Sequence, residues 1–177
     1  RAHLEKVRGE FQGIVFDFVD PMFCGVMRNR FGPDNALWVG QTGRGWGSVG
    51  GKRFGLERIV WDGKNTPIEM HHVSLTKDGF KIAFTKPVDK KAAADAANYG
   101  IKHWGYQYRA EYGSPKVGTT EVKPSKIIVA EDCKSVDLSM DLVKNRVYEF
   151  VIQSGLTGAD SSMFTNPRGW YTLNYLR

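Results

Sequence analysis

Apolar positions along this chain recur every second residue over much of its length. Val73 and Leu75, then Phe80, Ile82 and Phe84, alternate with polar neighbours on either side of Asp78-Gly79. Side chains with this period line one face of a pleated strand. Asp-Gly between two such runs is a hairpin signal, because glycine accepts the backbone angles that a tight turn demands. The pattern predicts the opening hairpin of a β-sandwich. Further strands are expected in "IKHWGYQY", "SKIIVA", "SVDLSM", "VYEFVI" and the closing "RGWYTLNYLR". Ahead of the hairpin, "FQGIVFDF", "CGVMRNRF", "ALWVGQT" and "LERIVW" are short β-rich runs, with Gly32-Pro33-Asp34-Asn35 suited to a turn between the second and third. These four are expected to form a small antiparallel unit. "KKAAADAANYG" is the one alanine-rich stretch, long enough for a helical turn or two before Gly100.

The stretch "GQTGRGWGSVGGKRFG" interrupts this regularity. Gly45, Gly47 and Gly50 satisfy the spacing G-x-G-x-x-G, which in a dinucleotide fold lies between a strand and a helix whose N-terminus receives the pyrophosphate. Here the following residues, with Leu56, Ile59, Val60 and Trp61 confined between Gly55 and Gly63, are too few and too β-branched for a helix. A Walker loop fails as well, since Gly51-Lys52 precedes Arg53 rather than Ser or Thr. The glycines therefore predict a loop joining two strands. Arg44 and Trp46 within it have the composition of an interface anchor, and packing against the rest of the fold is an equal expectation for them.

Composition narrows the partners more than it defines the activity. The chain of 177 residues is 41% hydrophobic and 12% aromatic, enough to bury a core, and carries a formal charge of +6. Its basic residues are dispersed, and no nucleic-acid-binding signature accompanies them, so no nucleic-acid partner is expected. No apolar run reaches about 18 residues, so no membrane span is expected, and no signal peptide is read. The chain starts at Arg1 rather than Met, which suggests a processed product or a piece of a longer protein. Cys24 and Cys133 are too far apart for a C-x-x-C motif or haem attachment site, and the sequence leaves open whether they pair.

Candidate chemistry is sparse. His71 and His72 are adjacent. In a regular strand they would point to opposite faces and could not chelate one ion, and His3 and His103 add no zinc-type spacing, so no metal site is expected. Asp17, Asp20 and Asp34 sit among turn residues, and no nucleophile-base pattern is readable, so no catalytic residue is assigned. The best binding candidate is "HWGYQYRAEYGSP". Alternation would place the rings of Trp104, Tyr106 and Tyr108 on one face of a strand with Tyr112 close behind. Flat rings stack on the apolar faces of sugars, while Gln107, Arg109 and Glu111 offer hydrogen bonds at the edges. The same rings would also fill a sandwich core, and both readings stand at this level.

One resemblance extends across the chain. "RAHLEKVRGEFQG", "NRFGPDNALWVGQTGRGWGSVGGKRFGLERIVWDGK", "GFKIAFTKPVD" and "YTLN" resemble the C-terminal part of secreted bacterial proteins related to the PQQ-dependent sugar dehydrogenases, the glucose/sorbosone dehydrogenase-like β-propellers. "FTKPVD" also looks like the second strand of bacterial immunoglobulin-like modules. The resemblance implies an all-β chain in which residues 1–63 are terminal propeller-blade strands with a glycine-rich loop, and residues 64–177 an immunoglobulin-like sandwich. It implies a periplasmic or extracellular location and a non-catalytic role in scaffolding, docking or carbohydrate binding. Any PQQ or haem c would then belong to the parent, with missing propeller blades or another chain, and a cytochrome c, as partners. The alternative it implies is a working sugar oxidoreductase whose catalytic residues lie outside this chain.

Overall fold

Phe80 shows how the core is organised. Its ring is fully buried, and the rings of Tyr148, Phe150 and Tyr171 surround it with centroids 5.0 to 5.2 Å away. Such tilted and edge-on contacts suit the ring quadrupoles. The computed structural model describes residues 1–43 and 50–177. In chain order its strands are β1 (Ala2–Val7), β2 (Glu10–Phe16), β3 (Val26–Phe31), β4 (Leu37–Thr42), β5 (Phe54–Ile59), β6 (Met70–Leu75) and β7 (Gly79–Phe84). After a short helix, α1 (Lys90–Ala93), and a 3-10 turn come β8 (Tyr99–Tyr106), β9 (Lys116–Val122), β10 (Lys126–Val129), β11 (Ser135–Ser139), β12 (Arg146–Ile152) and β13 (Arg168–Leu173).

These strands pair antiparallel in three open sheets. Two of them, with strand orders β1-β2-β13-β12-β8-β9 and β10-β11-β7-β6, contribute to one apolar cluster. Ile14, Tyr171, Tyr148 and Phe150 from the larger sheet meet Val73, Phe80, Ile82, Val136 and Leu138 from the smaller. The hairpin read at Asp78-Gly79 is present as β6 and β7, with Leu75 opposite Phe80. The alanine-rich stretch makes two short turns, capped by the carboxylates of Asp89 and Asp95, which accept from the backbone N–H groups of Ala92 and Ala97. Gly100 lies inside β8 rather than ending the helix.

The chain divides into two compact units, Arg1–Asp17 with Pro67–Arg177, and Phe18–Thr66. The sequence division at residues 63 and 64 therefore differs from the structure at the N-terminus. Strands β1 and β2 belong with the second group. β2 pairs with β13, setting Ile14 opposite Tyr171 and Phe16 opposite Gly169, and Val7, Ile14 and Phe16 enter the core. Glu5 and Gln12 reinforce the join. Glu5 accepts hydrogen bonds from the Leu75 N–H and the Tyr171 hydroxyl and pairs with Arg177. Gln12 donates to Tyr171 and to the Tyr175 carbonyl while accepting from the N–H groups of Asn174 and Tyr175.

In the smaller unit, β4 lies between β3 and β5. Gln41 organises its interior by accepting from the Cys24 N–H and donating to Glu57, which also accepts from the Phe23 N–H. The glycine-rich stretch leads from β4 into β5, the antiparallel neighbour of β4. A strand, not a helix, follows the glycines, which removes the structural context of a dinucleotide site. Arg44 and Trp46 lie outside the described residues. Cys24 and Cys133 are both free thiols.

Candidate functional site

The register of the larger sheet builds a hollow on the face turned away from the core. Gly13, Thr172, Val147 and Trp104 are successive cross-strand partners on β2, β13, β12 and β8. The next outward row is Val15, Trp170, Glu149 and Lys102. A glycine and two modest side chains thus share a face with two tryptophans, leaving a depression of about 580 Å³ whose lining includes Trp104, Tyr106, Lys116 and Trp170. That volume is within the range of ligand sites, ~300–1,000 Å³.

The second row is electrostatically set. Lys102 Nζ lies 2.7 Å from one Glu149 carboxylate oxygen, and the Trp170 indole N–H donates to the other at 3.1 Å. Burial works against ionisation of Glu149, but Lys102 and the indole outweigh it and hold the carboxyl below its ordinary value. Trp170 is consequently fixed in orientation while remaining half-buried.

Of the residues singled out in the sequence, Trp104 and Tyr106 both line the hollow, and they differ in access. Trp104 is only 1% exposed. The Lys116 ammonium, on the neighbouring β9, sits 3.7 Å from its ring centroid, a cation–π contact. The Trp104 indole N–H is buried with no hydrogen-bond partner. Tyr106 is half exposed. The expected strand through Tyr108 ends at Tyr106 instead. Tyr108 and Tyr112 lie in the connection to β9 and are fully exposed, while the Arg109 guanidinium donates to the Gly113 carbonyl within that connection. Trp170 was legible only as part of a terminal strand; its place beside the Trp104 row follows from pairing between strands distant in sequence.

The histidine expectation also changes. β6 carries a bulge, in which the register steps from Met70 opposite Phe84 to His72 opposite Ala83, so His71 is the extra residue. A bulge interrupts the alternation of faces. His71 and His72, expected on opposite faces, bring their Nδ1 atoms to 3.1 Å.

The chain is all-β, with an aromatic-lined depression on a face of its larger sheet. No helix among the described residues is long and apolar enough to cross a membrane. No protein-family model matches the sequence, and no curated protein matches it. Among solved structures, a crystal structure of the S-layer protein rSbsC is similar at 27% identity over 62% of this chain and 14% of that one, with a TM-score of 0.46. A structure of the surface layer protein SbsC, domains 1-6, is similar at 28% identity over 61% of this chain and 13% of that one, with a TM-score of 0.44.

Proposed function

We propose that this chain is a non-catalytic binding and docking region of an exported protein, periplasmic or extracellular, and that the hollow on its larger sheet receives carbohydrate. The observation that supports this most is the combination of Trp170 and Tyr106 around one depression, with the polar groups of Lys116 and Thr172 in its lining and Glu149 bonded to the Trp170 indole. Aromatic rings offer apolar area to a sugar face, and the polar rim offers hydrogen bonds to its hydroxyls. Trp104 serves as the support on which Lys116 rests, and Tyr108 and Tyr112, exposed in the connection to β9, are further candidates to stack on a sugar.

Docking is favoured by a separate observation. In the smaller unit Phe31, Phe54, Leu56 and Trp61 are each more than 60% exposed, and among the described residues β3 and β5 have no further strand partner. Open edges and exposed apolar side chains are features that a neighbouring segment or chain can cover. The resemblance to sugar dehydrogenase-like propellers fits both parts of the reading. On that view the sandwich is immunoglobulin-like, the smaller unit is propeller-derived, and any PQQ, haem c or cytochrome partner belongs to the parent protein.

The test is intrinsic tryptophan fluorescence titrated with a panel of soluble polysaccharides and oligosaccharides. A saturable change is expected, weakened about tenfold by Trp170→Ala or Tyr106→Ala, with circular dichroism showing both variants folded. A folded wild-type chain that answers no glycan, or variants that bind as the wild type does, would overturn the carbohydrate reading.

A further inference from the structure

We propose that the bulge in β6 turns His71 and His72 into a chelating pair for a divalent late-transition-metal ion such as Zn²⁺. Their Nδ1 atoms are 3.1 Å apart. Imidazole nitrogens bind zinc at about 2.0–2.1 Å, so two of them at this separation subtend roughly 95–100° at a shared ion. That angle lies between the demands of octahedral and tetrahedral coordination. Without an ion, two Nδ1 lone pairs so close repel each other unless one ring carries a proton there. On metal binding both rings take the Nε2–H tautomer, and any shared proton leaves for Nε2 or for solvent.

The surroundings hold this pair in place. Arg1 donates to the His71 carbonyl at 2.9 Å and to the Met70 carbonyl at 2.6 Å, clamping the bulged backbone, and its charge is met by Glu69 at 2.8 Å. The ring of His3, on β1, packs against that of His72 with centroids 4.8 Å apart and a 30° tilt. His3 is thus a positioning residue. Its own Nδ1 is buried without a partner. Glu5 is not a ligand, because its carboxylate is engaged by Leu75, Tyr171 and Arg177. Among the described residues no group of three or more His, Cys, Asp or Glu side chains is arranged to hold a metal, so the site is bidentate and water or an exogenous ligand completes the shell. Neutral imidazoles select ions of the zinc, nickel and copper group over magnesium or calcium, which prefer oxygen.

The experiment is calorimetric titration of the full chain with Zn²⁺, with Mg²⁺ as the control, followed by nitrogen NMR of the imidazole rings. Zn²⁺ is chosen because imidazole nitrogens are among its usual ligands and it has no redox chemistry of its own. One saturable site is expected, with Nδ1 resonances of two rings shifting together. His71→Ala or His72→Ala should weaken it roughly tenfold or more, while His3→Phe, which keeps a ring against His72, should retain it. His71 is exposed, so its variant keeps the fold even if the His72 variant does not. Absence of saturation at millimolar Zn²⁺, equal affinity in His71→Ala, or an Nδ1 that stays protonated in excess Zn²⁺ would each overturn the proposal.

Discussion

His103 illustrates what a single side chain does in this molecule. It is buried on the inner face of β8, with its ring centroid 4.9 Å from that of Tyr148. Burial, helped by the nearby Arg146 charge, holds its pKa below the ordinary histidine value. The neutral form is therefore the folded one. A histidine whose folded pKa is depressed binds protons more readily when unfolded, so its contribution to stability is complete above about pH 6.5 and is lost as pH falls below it. Thermal melts between pH 7 and pH 5 should show a falling Tm, with a shallower fall in His103→Phe; an unchanged slope in the variant would assign the effect elsewhere. His72 acts in the same direction, through burial and the charges of His3 and His71. The adjacent residue, Trp104, shows the limit of reading one strand at a time. Its period was legible, but its cover is Lys116, from a strand whose sequence "KVGTTEV" carries almost no apolar signal because every residue but the last is exposed.

Among the elements, the β6–β7 hairpin was the most legible and the bulge inside it the least. Asp78-Gly79 marks the turn, and Gly79 shows why glycine is required there. Its φ is +156°, and a Cβ would run into the carbonyl oxygen of Leu138 on the paired β11. Gly79→Ala must open the pairing of Gly79 with Ser139, and a loss of about 2 kcal/mol or more is expected by urea denaturation. A loss below about 0.5 kcal/mol would mean that the backbone relaxes freely at this point. The bulge has no comparable sequence mark, since "MHHVSL" reads as ordinary alternation with one polar residue too many. Its position depends on where β7 and Arg1 lie. β1 and β9 also passed unread: the inward positions of β1 are His3, Glu5 and Val7, and β9 is exposed over all but its last residue, so neither shows the two-residue apolar period of a buried strand.

For the whole molecule, the decisive event is the return of residues 1–17 to the unit formed by Pro67–Arg177. Their strands supply Val7, Ile14 and Phe16 to the core and complete the polar contacts of Glu5 and Gln12. Burial of such side chains is worth roughly 1.5–3 kcal/mol each, a large share of the ~5–15 kcal/mol that holds a domain folded. Residues 64–177 alone, the unit that the family resemblance implies, should therefore lack a cooperative thermal transition. A sharp transition near that of the full chain would show β1 and β2 to be dispensable. The all-β class, the hairpin, the helical turns of the alanine-rich stretch and the aromatic character of β8 were all contained in the order of residues, because period, propensity and turn chemistry act between near neighbours. Sheet membership of β1 and β2, the rows that place Trp170 near Trp104, the cover of Trp104 by Lys116 and the meeting of His71 with His72 arose only in three dimensions, because each depends on strand register and on contacts between segments far apart in the chain.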